Sequence, residues 1–254
     1  NYANENYKTI SRLKFFFQKI AVLISIKLHR NIIFTSKDLR NKILKNLKHR
    51  KFLQQKVIYH GVEKIKNSIK KNFTKNNNKF LYVSEFQKYK NHELLFEALK
   101  KNKSKKKIYL TCIGRYNNLD IRKLKKNYNF KKLKIKVKKI SKQKNILKIY
   151  KNYDAIIFPS LCESFGLPLL EAASKKVPIL CSNLRVFKEI YGNGCIYFDP
   201  KNIKSIIDKI ILFSTLKEKE IKFKVKSNYL KSIKLSWNYS GNEYHKVISN
   251  VIKF

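Results

Sequence analysis

A chain of 254 residues with 43% hydrophobic composition can bury one large core or two small ones, and it holds no apolar run of the roughly 18 residues that a membrane-spanning helix needs. The nearest candidate, Phe15 to Leu28, is interrupted by Lys19 and Lys27 and reads as an amphipathic or buried helix. A formal net charge of +43, from 59 basic and 16 acidic residues, points first to nucleic acid, but only seven of the basic residues are Arg, the main reader of base edges.

Lysine runs evenly with Asn and Ile along the chain, as an AT-rich coding sequence would produce, so composition alone accounts for the charge. An anionic membrane surface is the partner the charge fits next, and specific nucleic-acid recognition ranks last. The densest clusters are Lys100–Lys107 and Lys131–Lys139. No signal peptide is recognisable. The chain contains no Met, not even at position 1, and so reads as part of a longer frame. Cys112, Cys162, Cys181 and Cys195 show no C-x-x-C pairing. They read as small residues of a reducing cytoplasm rather than as metal ligands or disulfides. The five histidines show no metal-ligand spacing.

In chain order, residues 11–50 predict two helices around a short strand, Ile32–Phe34, with Ser36 capping a helix that runs to about Leu47. Lys56–Val62 is a short extended piece, and 63–78 is polar and loop-like. An α/β alternation follows. Strands are predicted at Phe80–Ser84, Ile108–Gly114, Lys134–Ile140, Asp154–Phe158, Ile179–Ser182 and Cys195–Phe198. Helices are predicted at Asn91–Lys101, Asp120–Asn127, Lys144–Lys151, Pro168–Ser174, Val186–Tyr191 and Ile203–Leu212. Ser236–Ile252 is a terminal helix. Strands alternating with helices imply a parallel, doubly wound sheet.

The richest segment is Phe158 to Glu171. An apolar strand ends at Pro159, a short loop carries Glu163, and Phe165-Gly166-Leu167-Pro168 turns into a helix with Glu171 one turn inside. In an α/β sheet such a turn lies at the carboxyl end of a strand, where ligands bind. The helix start offers free N–H groups and a positive dipole end to a phosphate. Gly166 allows close backbone approach. Lys90 likewise follows a strand and opens a helix, a place suited to a diphosphate. Glu171, set among Leu169, Leu170, Ala172 and Ala173, needs a hydrogen-bonding partner if it is buried.

The two carboxylates, with seven residues between them, resemble the Glu-x7-Glu motif of retaining glycosyltransferases of the GT-B fold, family 4. Leu81–Leu95 is similar to that family's donor-phosphate loop and following helix. Val177–Asn183 and Ile196–Pro200 are similar to its next strands. The resemblance covers roughly residues 56–215. It implies a Rossmann-like C-terminal domain at 56–235, a remnant of the N-terminal, acceptor-side domain at 1–55, and a terminal helix at 236–254 that crosses back toward that remnant. Ile32–Phe34 would then close the first domain.

By the same resemblance Lys90 contacts the donor phosphates and Glu163 lies near the donor sugar, the two being the catalytic candidates. Phe165, Gly166 and Leu167 meet the donor through their backbone, and Glu171 holds the ribose diol. Many relatives carry Gly-Arg where this chain has Ser84-Glu85, so Glu85 is expected to point away from the diphosphate. No metal or other cofactor is expected, only a nucleoside diphosphate sugar as donor substrate. The implied activity is transfer of a hexose-type sugar to a glycan or lipid-linked acceptor in cell-surface polysaccharide synthesis. The implied place is the cytoplasm, peripheral on the inner membrane face. The acceptor site and a catalytic His of many relatives belong to sequence preceding this chain. Two rivals stay open at this point: a nucleotide-sugar-binding remnant without catalysis, and a basic nucleic-acid-binding protein.

Overall fold

The computed structural model describes residues 31–45, 54–63, 78–104, 106–116, 118–139 and 147–252, together with single positions between 16 and 28. Two sheets result. The smaller pairs β1 (Asn31–Phe34) with β2 (Gln54–Val57) in parallel, with α1 (Lys37–Lys45) between them. The larger contains β3 (Lys79–Val83), β4 (Tyr109–Gly114), β5 (Ile135–Lys139), β6 (Ala155–Phe158), β7 (Ile179–Ser182) and β8 (Ile196–Phe198). All its pairings are parallel, in the order β5-β4-β3-β6-β7-β8. The connecting helices are α2 (His92–Lys101), α3 (Asn118–Asn127), α4 (Leu167–Ser174) and α5 (Arg185–Tyr191). They are followed by α6 (Ile203–Thr215), α7 (Glu218–Ser232) and α8 (Trp237–Ile252).

The order is that of a doubly wound sheet, with its reversal between β3 and β6. Central strands β6 and β7 are buried along their whole length, which is why they read as continuous apolar runs. Edge strand β5 instead alternates Ile135 and Val137 with exposed Lys136 and Lys138, a charged rim that discourages pairing with another chain. Helix α2 buries Leu95, Phe96, Ala98 and Leu99 on one stripe against this sheet. Leu81, Leu95, Phe96 and Ile156 are all 0% exposed, and each such side chain contributes about 1.5–3 kcal/mol by leaving water.

The chain returns at its end to where the two sheets join. Val62 bridges Ser236 in parallel, and the Val62 amide donates to the Leu235 carbonyl at 2.9 Å. The backbones cross so closely that a Cβ on Gly61 would lie 2.1 Å from the Trp237 nitrogen. From there α8 runs back along the first sheet, its Glu243 paired with Lys56 of β2 at 2.7 Å.

The predicted and observed elements differ in places. Helix α7 has no counterpart among the predicted helices. Its buried positions, Ile221, Val225, Asn228 and Ser232, include two polar residues, so the apolar stripe is faint in the sequence. Of the predicted helix at 144–151, residues 147–149 are helical and Tyr150–Asn152 form a 3-10 turn, while 144–146 lie outside the described residues. Most of the predicted first helix, and the polar stretch 64–77, lie outside them as well. Of its described positions, Phe16 is 58% and Leu28 73% exposed, so at these places a buried helix is not what is found. Among the described residues no helix is long and apolar enough to cross a membrane. Cys112, Cys181 and Cys195 are buried free thiols, and Cys162 is an exposed one.

Candidate functional site

The loops after β3 and β6 meet at the sheet's switch point. After β3, Lys88–Lys90 form a 3-10 turn and Asn91 takes the left-handed conformation at φ 61°. That backbone state is tolerated by Asn better than by other side chains. The turn lets the Asn91 side-chain Nδ2 reach across the switch point, donating to the Pro159 carbonyl at 3.1 Å and the Pro200 carbonyl at 2.7 Å. The Tyr89 carbonyl accepts from the Leu161 amide at 2.8 Å. The Tyr82 hydroxyl, rising from β3, donates to the Lys90 carbonyl at 2.5 Å. Three loops are thereby held in one rigid cluster.

Lys90 and Glu163 come together in this cluster. The Lys90 ammonium donates to Glu163 Oε1 at 2.5 Å, with the two side chains only 15% and 11% exposed. The ammonium also lies 4.9 Å from the centre of the Tyr89 ring and 5.5 Å from that of Phe158. Partial burial strengthens such a pair relative to a surface one, because less water screens it.

Gly166 (φ 89°) caps α4. A Cβ there would meet the Phe187 ring at 2.7 Å, so both conformation and space require glycine. Pro168 falls in the first turn, where its missing N–H leaves no helical carbonyl without a partner. The Phe165 side chain is 1% exposed and packs edge-on against His60 at 5.0 Å, so only its backbone can face a ligand. Leu167 is half-buried.

Glu171 is held by a residue that motif reading missed. The Tyr150 hydroxyl, itself fully buried, donates to Glu171 Oε2 at 2.7 Å, with the Pro168 carbonyl 3.2 Å away. Burial pushes the Glu171 carboxyl above its ordinary value of 4.5, while the Tyr150 hydrogen bond and the Lys175 charge pull it back down. Burial, then the neighbouring Glu171 charge, raises the Tyr150 hydroxyl well above 10, so it stays a donor. Twenty-one residues of separation hide this pair from any local pattern.

Glu85 points to Arg115 at the end of β4. Arg115 Nε donates to Glu85 Oε1 at 2.8 Å, and Gln87 donates to the other oxygen at 3.1 Å. The carboxylate is thus neutralised by a cation from the neighbouring strand. His92 opens α2 yet is 5% exposed, stacked on Phe86 at 3.9 Å, and neither ring nitrogen has a hydrogen-bond partner. Burial, helped by the Lys90 charge, lowers its pKa to about 3, so it is a neutral aromatic wall.

The first sheet touches this site directly. The Ser36 hydroxyl donates to the Ser164 carbonyl at 2.8 Å, inside the loop between Glu163 and Phe165, and accepts from the Leu39 amide at 3.2 Å. Glu189 of α5 accepts from the Lys37 and Asp38 amides and from the Tyr59 hydroxyl, each at 2.8 Å. A carboxylate at the α1 N-terminus also meets the positive end of that helix.

Comparison with known proteins identifies the family. The model of the family described as glycosyl transferases group 1 matches residues 63–228, more than half of the chain. The O-antigen chain mannosyltransferase RfbU of Salmonella typhimurium is 40% identical over 62 residues, 24% of this chain and 18% of that protein. The capsular polysaccharide biosynthesis glycosyltransferase CapH of Staphylococcus aureus is 30% identical over 165 residues, 62% of this chain and 46% of that protein. Among solved structures, Anabaena HepE in complex with UDP and glucose superposes with a TM-score of 0.75 at 14% identity, covering 91% of this chain and 66% of that one. S. aureus TarM, solved with UDP, gives 0.73 at 16% identity, covering 96% and 48%. The chain therefore spans half or less of the curated relatives named here and about half to two thirds of these solved neighbours. On the family model and the doubly wound fold, the chain belongs to the glycosyl transferases group 1 family.

Proposed function

We propose that this chain carries the donor site of a retaining glycosyltransferase. The transferred group would be a hexose-type sugar on a nucleoside diphosphate. The acceptor would be a hydroxyl of a glycan or lipid-linked glycan in cell-surface polysaccharide synthesis. The observation that carries the reading is the Lys90–Glu163 pair at the β3/β6 switch point, in the loop that leads into α4 and its Glu171. The O-antigen and capsule enzymes named above support the pathway, and the UDP complexes of HepE and TarM support the donor class.

In this reading the diphosphate lies by the Lys90 ammonium, and Lys90 stabilises the negative charge that grows as the sugar departs. Glu163 faces the donor sugar and favours positive charge at the anomeric carbon. Backbone groups of Phe165–Leu167 hold sugar hydroxyls. Glu171, oriented by Tyr150, accepts from the ribose diol with its remaining oxygen. Basic side chains and helix ends do the work of charge neutralisation, with no metal. Residues 1–55 would belong to the acceptor side, 56–235 to the donor side, and 236–254 would tie the two. The enzyme would work at the cytoplasmic face of the membrane.

The test is thermal unfolding of the chain with UDP, GDP and ADP. A ligand that binds only the folded state at about 100 times its Kd adds about 2.7 kcal/mol. The expected result is a rise in Tm with one nucleotide that disappears in Lys90→Ala and in Glu171→Ala. No rise with any nucleotide, in a folded chain, would defeat the donor-site reading. Nucleotide binding without sugar transfer would reduce it to a binding module.

A further inference from the structure

Helix α7 has two faces of opposite character. Ile221, Val225, Asn228 and Ser232 are buried against the body of the domain. Half a turn round, Lys219, Phe223, Lys226 and Leu230 repeat the same four-three-four spacing and are all exposed. Phe223 is 68% exposed and Leu230 45%, and Ile233 at the helix end is 45% exposed. No carboxylate lies among these residues. The two glutamates of the first turn are engaged elsewhere, Glu218 with Lys222 at 3.0 Å and Glu220 with the Lys217 amide at 2.9 Å.

An outward stripe of Phe and Leu interleaved with Lys is costly to hold in water. Its chemistry selects the occupant. Single-stranded nucleic acid is bound by successive aromatic rings, and Leu230 and Ile233 offer no ring. An anionic lipid surface uses both halves of the pattern, since aliphatic and aromatic tips enter the acyl boundary while Lys stems snorkel to the phosphates. The excess of 59 basic over 16 acidic residues adds long-range attraction to the same surface.

We propose that the outward face of α7, from Lys219 to Ile233, docks this domain on an anionic phospholipid membrane. The helix axis lies in the interface plane, with Phe223 and Leu230 below the headgroups and Lys219 and Lys226 among them. This goes beyond the donor-site reading and does not depend on it.

Flotation with phosphatidylcholine vesicles, alone and with about one third phosphatidylglycerol, tests the proposal. Because any anionic surface attracts so basic a chain, the decisive variant is Phe223→Ser/Leu230→Ser, which changes no charge. Both positions are exposed, so an unchanged Tm would confirm that the variant folds. The expected result is binding to the anionic vesicles only, lowered about tenfold or more in this variant. Lys219→Glu/Lys226→Glu should lower it far more than Lys136→Glu/Lys138→Glu, an equal charge change on β5 at the opposite edge of the sheet. Wild-type flotation of the serine variant, or equal effects of the two charge swaps, would overturn the proposal and leave only diffuse charge attraction. A serine variant that lost binding to a single-stranded RNA while keeping its binding to vesicles would overturn it as well.

Discussion

At the scale of single residues, the contact with most consequence is the Lys90–Glu163 pair at 2.5 Å. Any anion arriving at Lys90 competes with a carboxylate already there. Glu163→Gln removes the competing charge and leaves the shape. The mutant should bind free nucleoside diphosphate several-fold more tightly, on the order of 1 kcal/mol, while sugar transfer falls. Titration calorimetry checks the first part, and weaker binding in the mutant would defeat it. Glu171 yields a pH dependence. In the proposed donor site it accepts ribose hydroxyls, more strongly when ionised, and burial holds its carboxyl above 4.5. Donor affinity should therefore be constant at neutral pH and fall as pH drops through a midpoint above 4.5. Tyr150→Phe removes a hydrogen bond that favours the ionised form, so the midpoint should move higher still. A midpoint that stays put in Tyr150→Phe would show that the hydroxyl does not tune the site.

At the scale of elements, docking of α1 onto α5 sets how the first sheet meets the Glu163–Phe165 loop. Glu189 takes two amides of the α1 N-terminus and the Tyr59 hydroxyl, and burial together with Glu189 raises the Tyr59 pKa. Glu189→Ala leaves those donors without their acceptor, at a cost of about 1–3 kcal/mol. Because the second sheet has its own core, the loss should be local. Hydrogen exchange at the Lys37 and Asp38 amides should speed up while that of β6 and β7 stays slow. Equal rates in mutant and wild type would mean that Ser36 alone holds the junction. The elements themselves were mostly legible in the sequence. β6 and β7 announce themselves as apolar runs, and Ser36 and Gly166 stand at helix starts as their chemistry predicts. Helix α7 was not legible, because Asn228 and Ser232 occupy half of its buried stripe and Phe223 and Leu230 the exposed one.

At the scale of the whole molecule, 59 basic against 16 acidic residues leave many more repulsions than ion pairs. Added salt screens both, from a Debye length of about 30 Å at 0.01 M to about 3 Å at 1 M. Repulsion is in the majority, so the folded chain should gain stability, and Tm should rise with sodium chloride. A falling Tm would show that specific pairs such as Lys90–Glu163 and Lys56–Glu243 outweigh the net charge.

What the sequence determined by itself is local: the strand-to-helix turn at Phe158–Glu171, the glycine at 166, the alternation of a doubly wound sheet, and Lys90, Glu163 and Glu171 as the side chains to watch. Period and turn chemistry act between neighbours, so they leave their mark in the linear pattern. Only the tertiary structure decided who meets whom. It brought Tyr150 to Glu171, Arg115 to Glu85, Asn91 to the Pro159 and Pro200 carbonyls, and Glu189 to the start of α1. Apart from the exposed Arg115–Glu85 pair, each involves a buried or half-buried polar group whose partner is chosen by the packing of distant strands, because a group removed from water must find its hydrogen bond wherever the fold places one.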